Sequence, residues 1–121
     1  MADQLNHKIR KIVIASGAVT TLAGSGTAGA IDGTGTTASF YNPFGLTTDG
    51  TNLYVADTYN HKIRKIVIAS GVVTTLAGTG TIGAIDGTGT ATTFNYPFGI
   101  TSDGTSLYVA DQSNHKIRKI Q

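Results

Sequence analysis

The 121-residue chain contains no cysteine, no tryptophan and no glutamate. The absence of cysteine excludes a disulfide framework and thiol catalysis, although it does not fix the compartment. No apolar run approaches the roughly 18 residues that a membrane helix needs, and the N-terminal residues lack the apolar core of a signal peptide. We therefore expect a soluble protein with no membrane partner, cytoplasmic if expressed as written.

Helix signals are also missing. No segment of useful length shows an apolar period of 3.6 residues, and there are 16 glycines and only two prolines. Threonine, valine and isoleucine are abundant instead, and these residues favour strands. The composition predicts an all-β protein.

The dominant positive feature is an internal repeat. Residues 7–60 and 61–114 align without a gap, and 13 of the 54 pairs differ, which leaves 41 identical pairs. The run H-K-I-R-K-I begins at His7, His61 and His115. Such a period indicates a repeat architecture, in which one unit cannot bury its apolar surface alone. Repeats this similar are typical of a truncated, recently amplified or engineered chain.

One unit reads as four short strands, named a to d. Strand a covers residues 42–48, b 53–56, c 61–69 and d 72–77, with Asp-Gly and similar turn signals between them. The Gly/Thr-rich segment 78–93 is too long for a hairpin and too poor in helix formers for a crossover helix. Because it recurs at 24–39, we interpret it as a structured link.

The unit predicts a propeller blade. Each strand carries apolar residues on both faces, as in a sheet packed between two similar sheets. The chain then forms one partial propeller over 1–121. Strands c and d of a shared blade occupy 7–23, a complete blade occupies 41–77, and strands a, b and c of another shared blade occupy 95–121.

The segment A-D-T-Y-N-H-K-I-R-K-I at 56–66 resembles the signature of NHL repeats, with Lys62 in place of the leucine. The surrounding L-A-G-x-G-T-x-G-x-x-D-G-x-G-T…F…P-F-G-I is similar to an extended form of the repeat. The resemblance implies a β-propeller, commonly six-bladed. It does not imply one activity, since NHL propellers include protein-binding and RNA-binding domains and related folds include hydrolases and lyases.

Two blades cannot close a ring, and propellers close with four to eight. Three chains with two blades each would give six, so the sequence predicts a self-assembling homotrimer whose shared blades are completed between chains. Strand c occurs at both ends, at 6–12 and 114–120, so one copy must be displaced or added as an edge strand at each junction.

All nine basic residues lie in the three H-K-I-R-K copies. They could contact RNA or another anion. The interpretation that we favour is a strand whose long side chains cover apolar neighbours and keep their charged ends in water. The candidate contacts in the first two copies are Lys8, Arg10, Lys11, Lys62, Arg64 and Lys65.

Other chemical signals are weak. Segments 24–29 and 78–83 match G-x-G-x-x-G, but no helix start follows to face a phosphate. Asp32 and Asp86 supply one carboxylate per loop, too few for calcium, and we interpret them as Asx-type turns. The histidines His7, His61 and His115 could form a metal ring, although packing explains them. We predict no catalytic residues, no cofactor and no metal.

The remaining acidic and amide residues of the turns are interpreted as structural, because their side chains can accept bonds from nearby backbone N–H groups. These residues are Asp57, Asp111, Asn60, Asn114, Asp49 and Asp103. The sequence thus favours a self-assembling structural module without chemistry of its own. The alternative is a module that binds a protein or small ligand on the propeller face, and RNA binding or catalysis ranks lower.

Overall fold

The computed structural model describes all 121 residues, and it confirms the all-β prediction. Eleven strands form three antiparallel sheets, and the only helices are five single turns of 3-10 helix, so none could span a bilayer. The strands are β1 (Ala2–Asp3), β2 (Lys8–Ile12), β3 (Val19–Ala23), β4 (Gly33–Thr34), β5 (Pro43–Thr48), β6 (Asn52–Asp57), β7 (Lys62–Val67), β8 (Val72–Ala77), β9 (Pro97–Ser102), β10 (Leu107–Asp111) and β11 (Lys116–Ile120).

The middle sheet is a meander in the order β5-β6-β7-β8 with β4 added outside β8. The four main strands correspond to strands a to d. The Asp49-Gly50 turn sets the first hairpin, which pairs Thr48 with Leu53, and β6 then pairs with β7 over six residues. Short turns between β-branched runs thus place each strand beside the next one in the chain.

The fifth strand of this sheet comes from the Gly/Thr-rich link that precedes the blade. β4 pairs with β8 through Gly33↔Val73 and Thr34↔Val72. The N–H of Gly35 also donates to the carbonyl of Gly71. The link is therefore structured, and it crosses to the outer edge of the blade before the chain returns to strand a.

The two terminal sheets contain three strands each, β1-β2-β3 and β11-β10-β9. The sequence predicted nine strands, and the structure has eleven because β1 and β4 are two-residue strands without a pattern of their own. β1 is the end of a strand b, since A-D-Q-L-N-H at 2–7 repeats A-D-T-Y-N-H at 56–61. The first sheet thus holds the end of b, then c and d.

The core lies between neighbouring sheets, on both faces of the middle one. On one face Val55 and Ile66 pack against Ile9 of β2. On the other face Ala56 and Ile63 pack against Val109 of β10. This double burial explains the near-continuous apolar runs of the middle strands and gives the propeller-like stack of blades.

Candidate functional site: an open strand position beside β11

A buried ion-pair network organises the middle blade. The guanidinium of Arg64 is fully buried, donates from Nη1 to Asp57 Oδ2 at 2.8 Å and donates from Nη2 to Asp32 Oδ1 at 2.7 Å. The same two nitrogens donate to the carbonyls of Ser39 and Ile31 at 3.0 and 3.1 Å. Arg64 therefore ties β7 to the end of β6 and to the link.

Arg64, one of the candidate anion contacts, is not available to an external anion, because its charge is paired with Asp32 and Asp57 inside the protein. The equivalent Arg118 is also buried and ion-paired. Arg10 is partly buried and pairs with Asp3 at 3.0 Å. The basic strands are therefore not simple stripes with solvated ends, and of the candidate nucleic-acid contacts only the lysines, Lys8, Lys11, Lys62 and Lys65, remain without a carboxylate partner.

Asp57 is the innermost member of the network. Its carboxylate accepts the N–H of Tyr41 at 2.8 Å and an Asn60 side-chain bond at 2.7 Å, in addition to Arg64. Burial raises the pKa of Asp57, and the bonds from Asn60 and Tyr41 and the charge of Arg64 oppose that shift. Asp57 thus holds the b–c turn, the start of strand a and the buried arginine in one place.

Asp32 joins the link to strand d. Besides Arg64, it accepts the backbone N–H of Thr75 at 3.3 Å and the Thr75 hydroxyl at 3.1 Å. Partial burial raises the pKa of Asp32, but the bond and charge of Arg64 and the two bonds from Thr75 together outweigh it and leave the pKa lowered. The interpretation of Asp32 as an Asx-type turn is wrong, since its partners lie 32 and 43 residues away along the chain.

The last sheet contains the same network without strand d. Arg118 donates to Asp111, Asp86 and the carbonyls of Thr93 and Ile85. Asp86, however, bonds only to Arg118, and its side chain is 91% exposed where that of Asp32 is 48% exposed. Asp86, the equivalent of the carboxylate that binds strand d in the middle blade, therefore faces solvent in the last sheet.

A groove of about 570 Å³ lies beside β11, at the position that corresponds to β8 in the middle blade. One wall is β11 and Gln121, the other is residues 86–89 of the link, and Phe94 and Ala77 also line it. In the middle blade β8 fills the corresponding space between β7 and β4. The outer edge of β11 has no paired strand, and an open edge of this kind can receive one.

The predicted turn residues Asp49 and Asp103 lie away from this groove's ion pairs, at the a–b hairpins. Asp49 accepts the N–H groups of Asn52 and Thr51 at 2.7 and 2.9 Å, and these bonds, with one from the Tyr54 hydroxyl, strongly lower the pKa of Asp49. Asp103 makes the equivalent set in the last sheet, which also lowers its pKa. Asn114 bonds to Asp111 as Asn60 does to Asp57.

The histidines have a backbone role. Nδ1 of His7 accepts the N–H of Asn42, and Nδ1 of His61 accepts the N–H of Tyr96, both at 3.1 Å. All three histidines adopt left-handed backbone at the end of a 3-10 turn, and no three side chains of His, Asp, Glu or Cys lie together as a metal would need. Gly24 and Gly78, in the two G-x-G-x-x-G segments, have φ of 104° and 98° and lie against the carbonyls of His7 and His61.

The comparisons agree with this architecture. No protein-family model matches the chain. NHL repeat-containing protein 2 of Bos taurus is 39% identical over 130 residues, covering 98% of this chain and 18% of that protein. The chain thus spans less than a fifth of the length of this relative.

Solved structures share the fold. A structural genomics protein from Bacteroides thetaiotaomicron superposes with a TM-score of 0.90 at 35% identity, over 98% of this chain and 31% of that one. An auxiliary nutrient binding protein from Bacteroides ovatus gives 0.82 at 26% identity, over 98% and 33%. Together with the repeated A-D-x-x-N-H-K-I-R-K-I segment, these similarities confirm the resemblance of this chain to NHL-repeat proteins, and its fold is a propeller-like array of antiparallel blades.

Proposed function

We propose that this chain is a binding-type NHL module whose open strand position beside β11 takes β3 of a second copy, so that copies join head to tail into a closed ring. β3, with the sequence V-T-T-L-A, matches V-T-T-L-A within β8, the strand that fills the same position in the middle blade. β3 therefore carries the same side chains as the strand that fills the equivalent position in the middle blade.

The observation that carries the proposal is the exposed carboxylate of Asp86. Thr21 of β3 is the repeat counterpart of Thr75. Docked as β8 is docked, β3 would bring the N–H and hydroxyl of Thr21 to Asp86 and complete the network of Arg118. Hydrogen bonds to a charged group typically contribute about 1.5–3 kcal/mol, which gives this strand register an advantage over a shifted one.

Strand exchange between copies accounts for the presence of strand c at both ends of the chain. When β3 of one copy leaves its own β2 and pairs with β11 of another, Ile117 can take the place of Ile9 over the cluster around Phe40. Ile9 is fully buried there, whereas Ile117 is 73% exposed beside the open groove. The exchange thus replaces β1 and β2 at the junction by β9, β10 and β11 of another copy, which completes a four-stranded blade with β3.

The expected ring contains three chains, because two repeats per chain then give six blades, the number common in the family. A head-to-tail contact that closes on itself yields such a ring without open edges. The similarity to nutrient binding proteins of this fold supports a module that binds. We further propose that it does not catalyse, since its buried carboxylates are engaged with arginines.

Size-exclusion chromatography with light scattering tests the proposal. The wild-type protein should have about three times the 12.5 kDa chain mass. The Asp86→Ala variant should shift toward the monomer. The matched variant Asp32→Ala removes the same group where strand d is already present in the same chain, so it should lower stability without selectively dissociating the ring. A wild-type protein that stays monomeric at every concentration would contradict the proposal.

A further inference from the structure

Five aromatic side chains form a continuous row across the three sheets. His7 contacts Tyr41 at a ring-centroid distance of 5.6 Å, Tyr41 contacts Tyr59 at 5.1 Å, Tyr59 contacts Tyr96 at 5.3 Å, and Tyr96 contacts His61 at 4.6 Å. We call these residues the aromatic row. It lies at the end of the sheets where β5 and β9 begin and β6 ends, away from the groove beside β11.

The three tyrosines of the row stand where the repeats differ. The other repeat has Asn95 opposite Tyr41, Ser113 opposite Tyr59 and Asn42 opposite Tyr96. The two remaining tyrosines, Tyr54 and Tyr108, are repeated and bond to the hairpin carboxylates of Asp49 and Asp103. A tyrosine that the blade needed structurally would recur with the blade, so these three are not explained by folding.

Tyr96 adopts a backbone conformation that a tyrosine avoids. Its φ is 52°, in the left-handed region, and its counterpart Asn42 has 48°. Asparagine is enriched in this region, whereas a bulky residue there is an outlier, and such outliers cluster at ligand sites. The bond from the Tyr96 N–H to His61 and the edge-to-face contact of the two rings hold the conformation.

The aromatic row exposes uncharged rings and hydroxyl groups to solvent. Tyr41 and Tyr59 are 39% and 43% exposed, and the hydroxyls of Tyr41, Tyr59 and Tyr96 make no hydrogen bond within the chain. The nearby Asp57 carboxylate is buried against Arg64. A partner that fits such a surface has apolar ring faces to stack on tyrosines and hydroxyls to bond to them, and carries no charge.

We propose that the aromatic row binds a neutral oligosaccharide. The C–H faces of the sugar rings pack on the tyrosine rings, and the sugar hydroxyls bond to the tyrosine hydroxyls and to Nε2 of the histidines. Ring contacts that extend over five side chains suit a chain of sugar units better than a single sugar. This binding does not depend on ring closure, since one chain holds Tyr41, Tyr59, Tyr96 and His61, and in the ring His115 of another copy, the repeat equivalent of His7, completes the row.

Tyrosine fluorescence and calorimetry test the proposal, because the chain contains no tryptophan to mask the tyrosine emission. The full-length protein is titrated with maltohexaose, cellohexaose and xylohexaose into the millimolar range. At least one of them should release or absorb heat and change the emission. If none of the three binds, the proposal is overturned.

The repeat itself supplies variants that fold. Tyr59→Ser and Tyr96→Asn introduce the residues of the other repeat, and each should weaken binding about three- to tenfold, the loss of one aromatic contact. Tyr108→Phe removes a tyrosine hydroxyl outside the row and should leave binding unchanged. Binding that persists at full affinity in the double variant Tyr59→Ser/Tyr96→Asn would overturn the assignment. The Asp86→Ala protein should retain sugar binding, which separates this proposal from ring assembly.

Discussion

Replacing Asp57 with alanine removes the anion from the centre of the middle blade. The variant leaves the guanidinium of Arg64 buried with Asp32 as its remaining carboxylate. It also leaves the N–H of Tyr41 without its acceptor and the amide of Asn60 with only the carbonyl of Gly29. Breaking a buried pair from one side costs more than the pair contributes, because the remaining charge stays out of water.

The expected loss is about 3–5 kcal/mol in the free energy of unfolding. A chain of this length has a total stability of roughly 6–18 kcal/mol at 0.05–0.15 kcal/mol per residue. Asp111→Ala removes the equivalent carboxylate in the last sheet, where Arg118 borders the open groove and still donates two bonds to Asp86. The Arg118 side chain is 8% exposed to the groove, whereas that of Arg64 is fully buried, so we expect a smaller loss of about 1.5–3 kcal/mol while the groove is empty.

Urea unfolding followed by circular dichroism measures both variants, at protein concentrations where each is monomeric. The double variant Asp57→Ala/Arg64→Met removes both charges and should be more stable than Asp57→Ala alone. If Asp57→Ala costs no more than Asp111→Ala, or if Arg64→Met fails to rescue it, the buried network is not what holds the middle blade.

Burial lowers the pKa of His61, and Nδ1 must be unprotonated to accept the N–H of Tyr96. The folded state therefore binds fewer protons than the unfolded state. The contribution of His61 to the free energy of unfolding is complete above the unfolded pKa of about 6.5 and is lost as pH falls through the lower folded pKa. The urea midpoint should fall between pH 8 and 5, and less so in His61→Asn, which keeps an acceptor and suits left-handed backbone; an equal fall would refute this role. Deleting 1–12 should still allow ring assembly, since β11 supplies strand c at each junction. Deleting 114–121 removes β11, so a ring then requires β2 to stay paired with β3 and to pair with β10 of another copy. The double deletion should aggregate, and an intact ring after it would mean that blades close by face packing alone. Dialysis against a chelator should leave the melting temperature unchanged, and a drop of many degrees would reveal a metal requirement.

The local elements were predictable because their signals are local. The Asp-Gly turn at Asp49, the β-branched runs around it and the Asp57 turn each specify a hairpin within a few residues. These hairpins fix the order of β5 to β8, and the two-sided apolar pattern then requires neighbouring sheets. Because the sequence repeats, the same strand order is predicted for the rest of the chain.

The site was not predictable from such signals. Arg64 lies between lysines in a strand whose sequence predicts solvent-exposed charged ends. Its partner Asp32 lies 32 residues earlier, in a link without apolar periodicity. Only the recurrence of the same spacing between Asp86 and Arg118 could have suggested the pair. Likewise, the tyrosines of the aromatic row are 18 and 37 residues apart, and only packing of three sheets brings them together.

A disulfide between chains tests the central claim most directly. In the middle blade Thr74 pairs with Lys65, so β3 docked beside β11 places Thr20 opposite Lys119 of another copy, whereas within one chain Thr20 pairs with Lys11. Because the protein has no native cysteine, the Thr20→Cys/Lys119→Cys variant can form only the introduced bond. We expect a cross-linked species of about three chain masses on a non-reducing gel under mild oxidation. A product that remains at one chain mass, with free thiols, would contradict strand exchange between copies.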